Sequence, residues 1–227
     1  MRRSAKVPNW EVLLAHAATL QTKVPRAVLV GGTAAAVHAR HRSSVDHDHV
    51  VKDLAKGYDA ALHALESIVG WRTRRRIKGT LVLGEVDSIP ASLRNQRRSA
   101  PLETIDVAIR GGGSLRVPTA EEILRIKTFL VVDRNATRDY LDVAALSHYI
   151  GLKQSCVALE RMNELYSEFA GEAGDMLTSA VVKLATPDPY DLTDIDLTEY
   201  KGVIKPWDDW RAVQQQCASL AAALLRE

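Results

Sequence analysis

The sequence predicts an α+β fold: a strand-rich front half to about residue 117, followed by a helical back half. Three observations point to it. Short β-branched runs alternate with helix-length segments as far as Pro118. Glycine-marked turns at Gly31-Gly32 and Gly111-Gly112-Gly113 punctuate those runs. After Pro118, nearly everything to residue 184 has helical spacing. The 227 residues, 46% hydrophobic and 26% charged, suffice for one sizeable domain or two modest ones with a real core.

Residues 9–22 carry apolar groups at helical spacing, with Pro8 or Asn9 near the start. "RAVLV" (26–30) reads as a short buried strand that Gly31-Gly32 ends, and "TAAAVHARH" as an alanine-rich helix. "SVDHDHVV" (44–51) is β-branched and alternating, which predicts a second strand. A helix is expected over 57–69. "WRTRRRIKG" and "TLVLGEVDSI" then form an antiparallel pair, and "LETIDVAIRG" and "SLRVP" a hairpin about the triple glycine. Thr119 and Glu122 stand at capping-box spacing at the head of the helical half. A polar, proline-containing segment precedes a last amphipathic helix near 208–226. The expected domains are therefore 1–117 and 118–227, the second completing an active site in the first.

The net charge of +2 conceals an asymmetry. Residues 1–100 hold 17 Lys/Arg against 8 Asp/Glu, a balance of +9, which leaves −7 for the remainder. A basic front half suits a polyanionic partner, because Lys and Arg displace condensed counterions from phosphates. Its densest stretches are "WRTRRRIKG" (71–79) and "RNQRRSAP" (94–101). No apolar run approaches a membrane span, and the basic, amphipathic opening lacks the core and cleavage site of a signal peptide. Cys156 and Cys217 form no metal or disulfide framework. The expectation is a cytoplasmic protein with buried thiols.

The chemistry concentrates in "AVLVGGTAAAVHARHRSSVDHDHVV" (27–51). On a strand, Asp46 and Asp48 point the same way, about 7 Å apart. Paired carboxylates call for a cation between them, and Mg²⁺, or Mn²⁺ in its place, fits when shared with substrate phosphates. Gly31 and Gly32 in front of a helix offer backbone N–H groups to an anion, and Thr33 a hydroxyl. These are the parts for nucleotidyl transfer. Downstream, Lys127 and Arg134 are seven residues apart and share a helix face, suited to neutralising departing phosphates. Asp139 and Asp142, three apart, also share a face. One of them could take a hydroxyl proton or orient Lys127, or Asp142 could simply pair with Arg138 at i,i+4.

Gly31, Gly32 and Thr33, with Arg42, Ser43, Asp46 and Asp48, resemble the minimal nucleotidyltransferases of the polymerase-β superfamily. More narrowly they are similar to the AbiEii/MenT-type toxins of bacterial toxin–antitoxin systems. "KTFLVVDRNATRDYLDVAAL", with Lys127, Arg134, Arg138, Asp139 and Asp142, resembles that family's second motif block. The resemblance implies a polymerase-β-like core with a mixed sheet, and transfer of NMP from an NTP with release of pyrophosphate. It further implies the tRNA 3′ end as acceptor and a cognate antitoxin as partner. Gly31, Gly32, Thr33, Arg42, Ser43, Arg134 and Asp139 would serve the NTP phosphates. A third carboxylate is common in such sites on the strand beside the aspartate pair. Asp106, in mid-strand, is the candidate, and the base assignment stays open between Asp106 and Asp142. His47 and His49 stand where the family has apolar and aromatic residues; they face away from the aspartates and read as packing residues.

Rival readings keep or change this chemistry. His38, His41, His47, Asp48 and His49 form a histidine-dense patch that could hold zinc or iron, though no H-E-x-x-H spacing is present. The same site could act on an antibiotic hydroxyl, or could be an inactive binding module. No P-loop or Rossmann glycine pattern is present.

Overall fold

The computed structural model of the chain describes residues 7–169, 175–198 and 200–226. The basic opening at 1–6 and Glu199 of the polar segment lie outside them. Two compact units are formed. One holds the chain up to Ala34 together with Ser43–Thr119; the other holds Ala35–Arg42 together with Ala120 onward. The main division thus falls at 119/120, and the short stretch Ala35–Arg42 groups with the helical unit rather than with its sequence neighbours.

The first unit begins with α1 (Trp10–Lys23), whose Asn9 cap accepts hydrogen bonds from the Glu11 and Val12 amides at 2.9 and 3.4 Å. There follow β1 (Val28–Val30), α2 (Gly31–Ala39), β2 (His47–Val51), α3 (Tyr58–Glu66), β3 (Trp71–Ile77), β4 (Leu81–Val86) and β5 (Ile89–Asn95). A hairpin of β6 (Thr104–Ala108) and β7 (Ser114–Pro118) closes the unit. The main sheet runs β1-β2-β5-β4-β3. Only the β2–β5 pair is parallel, so the sheet is mixed as expected.

Strand β5 is the element that the sequence reading lacks. Pro90 near its start speaks against a central strand. The conflict is resolved by register: β5 pairs with β2 only from Ala91 onward, so Pro90 faces a single neighbour, Glu85 of β4. The β4–β5 turn is made by Asp87 and Ser88, both at positive φ (47° and 69°). That is the backbone of a two-residue hairpin, reached here without the Asn-Gly pair that usually signals it.

One sheet face packs on α1 and α3 through Leu20, Leu62, Leu65, Val82, Val86 and Leu93. Along β2, His47, His49 and Val51 are buried while Asp48 and Val50 are half-buried. The two histidine rings meet edge to face, 5.4 Å apart. Burial drives both to the neutral form. His47 is lowered to about 4, mainly by burial and then by His16, against the pull of Asp46. His49 is pushed well below the usual range by burial and by His47. The unfolded chain, with histidines near 6.5, therefore binds protons that the folded chain refuses. Stability present above pH 6.5 is lost as the pH falls from there toward 4, by about 1.4 kcal/mol per pH unit for each histidine. Melting temperature measured from pH 7 to 4.5 should fall steeply for the wild type and less steeply for His49→Leu. Parallel curves would refute the assignment.

The second unit contains α4 (Ala120–Arg134), α5 (Thr137–Ile150), α6 (Leu152–Glu160), α7 (Met162–Leu165), α8 (Met176–Ala185) and α9 (Trp210–Leu224). Its core draws on Leu124, Leu141, Leu146, Leu159, Leu184 and Leu220. The start of α5 is capped from a distance: the Asp191 carboxylate accepts from the Thr137 amide at 2.7 Å and from its hydroxyl at 2.8 Å. At the head of α4, where Thr119 and Glu122 stand at capping-box spacing, both residues also bond elsewhere. The Thr119 amide donates to the Glu103 carbonyl at 2.9 Å, and Glu122 accepts from Arg125 at 2.7 Å. Cys156 and Cys217 are buried and unbridged, and burial holds the Cys217 thiol far above its ordinary pKa. No helix among the described residues is long and apolar enough to cross a membrane.

Candidate active site

In the first unit the site is built where β1 passes into α2. Gly31 opens the helix at φ 75°, and a Cβ there would stand 3.2 Å from the Asp48 Oδ2 atom. Only glycine meets both conditions. Gly31 and Gly32 belong to the first helical turn, whose N–H groups have no partner within the helix. Thr33 departs from expectation. It is buried, and its hydroxyl donates to the Asp46 carbonyl at 2.5 Å, tying the helix to the chain beside it rather than pointing at a ligand.

Asp48 lies on β2, and Asp46 immediately precedes it. Each carboxylate accepts one serine hydroxyl: Ser44 reaches Asp46 at 3.0 Å, and Ser92 reaches Asp48. Neither has a Lys, Arg or His ion-pair partner among the described residues. Both are half-buried, and Asp48 alternates with the buried histidines along β2. Two like charges held together without a counter-charge are unfavourable unless a cation joins them. The donors are hard oxygens, and two carboxylates leave room for water and phosphate ligands, which is the coordination habit of Mg²⁺. The described residues contain no cluster of three or more His, Cys, Asp or Glu suited to a metal. The histidine patch proposed as a rival is therefore not assembled: His47 and His49 are packed in the core, and His41 is bonded elsewhere.

Asp106 is corrected by the sheet order. The strands beside β2 are β1 and β5, whereas β6 pairs with β7 in a separate two-stranded sheet. Asp106 is exposed there and pairs with Arg116 at 3.3 Å. The residue registered opposite Asp48 on β5 is Ser92. A hydroxyl thus stands where a third carboxylate was sought.

In the second unit the charged residues form a chain of contacts. Arg134 donates to Asp139 through Nε at 2.5 Å and Nη2 at 2.7 Å. Lys127 Nζ lies 3.4 Å from Asp139 and 2.6 Å from Asp142. Asp142 also accepts from Arg42 Nε at 2.8 Å and Nη2 at 3.0 Å, and from His41 Nε2 at 2.7 Å. Lys127, Asp139, Asp142, His41 and Arg42 are all buried. Against the cost of burial, Arg42, Lys127 and His41 hold the Asp142 carboxyl well below the usual carboxylate range. Burial keeps His41 neutral. The shared faces expected for Lys127 with Arg134, and for Asp139 with Asp142, are present, because one side chain contacts both members of each pair.

Two expectations change. Arg42, read as a phosphate ligand, grips Asp142 with two of its nitrogens. Arg138 is exposed and does not pair with Asp142. Asp142, read as a base or as the residue that orients Lys127, is held by Lys127, Arg42 and His41. Sequence reasoning missed Ser44, Ser92 and the His41–Asp142 bond. Ser44 had a visible signal, since it precedes Asp46 by two residues.

Comparison with known proteins agrees with the fold. The chain superimposes on MenT4, a nucleotidyltransferase toxin of Mycobacterium tuberculosis, with a TM-score of 0.62, covering 96% of this chain and 83% of that one at 16% identity. The chain has the polymerase-β-like nucleotidyltransferase fold. JHP933 from Helicobacter pylori matches that fold over 98% of this chain and 93% of its own, with a TM-score of 0.54 and 17% identity. ANT(2″)-Ia, solved with adenylyl-2″-tobramycin, matches over 70% of this chain and 98% of its own, with a TM-score of 0.51 and 14% identity. No family model matches the sequence. A 135-residue stretch is 36% identical to the heme uptake protein MmpL11 of Mycobacterium tuberculosis, covering 58% of this chain. A 163-residue stretch is 29% identical to the mycolic acid-containing lipids exporter MmpL11 of Mycolicibacterium smegmatis, covering 72% of this chain. The matched regions span only 13% and 16% of those proteins.

Proposed function

We propose that the protein transfers NMP from an NTP to an acceptor hydroxyl, releasing pyrophosphate. The observation that carries this reading is the pair Asp46 and Asp48, held half-buried with a serine on each and no cation partner, beside a glycine-opened helix. These two carboxylates would hold Mg²⁺ or Mn²⁺, which supplies charge neutralisation on the reacting phosphates. The amides of Gly31 and Gly32 receive phosphate oxygens. Of the second unit's charges, Arg42, Lys127 and Arg134 outnumber Asp139 and Asp142 by one, and Arg134, the most exposed of them, presents that excess to an anion. Lys127 and Asp142 act behind it as positioning residues. The family resemblance also assigns Ser43 and Asp139 to binding the NTP.

The acceptor class proposed is RNA, with the tRNA 3′ end as the specific target. Support comes from the basic front half and from the toxin that shares the fold. A cognate antitoxin and a toxin role in the cytoplasm follow from the same resemblance. The antibiotic-modifying neighbour keeps a small-molecule hydroxyl as the second reading. The test is incubation with each of the four α-phosphate-labelled NTPs, Mg²⁺ and total tRNA, beside a chelator control and a panel of aminoglycosides. Label on tRNA that the chelator abolishes is the expected result. Label on an aminoglycoside would replace the acceptor, and no label anywhere would remove the transferase reading.

A further inference from the structure

The register of the main sheet places a second feature on the face that carries Asp48. Asp48 pairs with Ser92, Ser92 with Leu83, and Leu83 with Arg75, so these four form one row across β2, β5, β4 and β3. The next row is Val50, Arg94, Leu81 and Ile77. Side chains in one row share a face, and three strand spacings put Arg75 about 14 Å from Asp48. Arg94 is one strand away. Both arginines are exposed. Arg75 has no hydrogen-bond or ion-pair partner among the described residues, and Arg94 has only a long contact, 3.4 Å, to Ser92 Oγ. Beyond them, Glu85 holds Arg74 at 2.8 Å and lies 3.8 Å from Arg72. Strand β3 is the sheet edge.

We propose that this face, from Ser92 out to β3, carries the phosphate backbone of an RNA acceptor, with Arg94 and Arg75 as its two phosphate contacts. The inference rests on the reading of Asp46 and Asp48 as the reacting centre, since it makes the strip a track leading to that centre. Its chemistry selects nucleic acid over an acidic protein in two ways. The cations are arginines, whose planar forks match phosphate oxygens. They also stand one and three strands out from Asp48, in adjacent rows, so that two phosphates of one strand could meet both. The residues of these two rows on β4 and β3 besides Arg75 are Leu83, Leu81 and Ile77, and no aromatic side chain appears in either row. A surface with guanidinium groups and no stacking platform follows the backbone and not the bases. Binding should therefore be strongly salt-dependent and tolerant of sequence.

The test is equilibrium binding of a fluorescent single-stranded RNA to the full chain, without NTP and with chelator, over a range of salt. For Arg75→Ala/Arg94→Ala the slope of log affinity against log salt should fall by about 1.4, since each phosphate contact contributes roughly 0.7. Affinity at low salt should drop about tenfold or more. Arg75→Lys/Arg94→Lys should restore most of the slope, and Arg211→Ala/Arg226→Ala, removing two exposed cations on α9 and just beyond it, should leave it unchanged. An unchanged slope in the first variant, with its melting curve intact, overturns the proposal. So does competition by poly-glutamate equal to that of RNA, which would give the face to an acidic protein. Because no NTP is present, the two readings fail separately. Arginine-dependent binding without any nucleotide transfer leaves the track and removes the transferase, and transfer to RNA with an unchanged slope does the reverse.

Discussion

Asp48→Asn is expected to abolish nucleotide transfer while leaving the melting temperature at or above that of the wild type. The amide is nearly isosteric with the carboxylate, and its carbonyl can still accept the Ser92 hydroxyl, so the local packing against Gly31 is kept. What disappears is one of two negative charges that no cation of the described residues offsets. Without metal, that removal relieves repulsion with Asp46 and is neutral or stabilising. With metal and NTP, it removes half of the carboxylate set that holds the ion. Charge stabilisation of this kind is worth several kcal/mol, so a loss of about 4 kcal/mol, on the order of 10³-fold in rate, is expected. A second readout separates this from a merely structural role. Ligands that bind only the folded state raise its stability by mass action. Mg²⁺ with a non-hydrolysable NTP should therefore raise the melting temperature of the wild type and not of the variant. Transfer within tenfold of wild type would sink the metal assignment.

Part of this arrangement was legible because it is local. The glycine turn, the alternation that sends Asp46 and Asp48 one way and His47 and His49 the other, and the helical spacing of Lys127 with Arg134 are properties of short windows. The structure reproduces the turn, the opposite burial of Asp48 and the two histidines, and the shared face of Lys127 and Arg134, while Asp46 falls just before the strand. What was not legible depends on which distant segments meet. Ser92 touches Asp48 across 44 residues because β5 lies parallel to β2, and β5 itself is disguised by Pro90. Asp106 sits in a strand pattern as good as any other, but pattern does not say which sheet a strand joins. Arg42 and Asp142 lie 100 residues apart, and the motif that contains Arg42 gave no hint that its guanidinium faces a helix of the other half of the sequence. In that case a residue type suited to phosphate was equally suited to a buried carboxylate, and burial decided between them.

The same burial makes Asp142→Asn the largest stability change expected. The carboxylate is fully enclosed and accepts from Lys127, from Nε and Nη2 of Arg42 and from the His41 ring. Neutralising it takes a close carboxylate from two buried cations, Lys127 and Arg42, and breaking such a cluster from one side costs about 3–5 kcal/mol. For a chain of this size that is roughly a 10 °C fall in melting temperature. Asp142→Asn/Lys127→Met should recover part of the loss, because the second change removes one of those two cations; simple addition of the two single effects would show that they are not coupled. Acid titration follows from the sign of the shift. A carboxylate held well below its unfolded value contributes stability that is complete above about pH 4 and is lost only as the pH falls through the lower, folded value. Any ascending limb that ionisation of Asp142 gives to the pH–rate profile therefore lies below the usual carboxylate range. If it positions Lys127 and Arg42, the residual transfer of Asp142→Asn, measured below its melting range, should keep the pH profile of the wild type at reduced rate. If it were instead the base that takes the acceptor's proton, the variant would lose the ascending limb altogether while Lys127→Met retained it. The shape of that profile, more than the size of the rate loss, decides whether this carboxylate holds the cations in place or reacts.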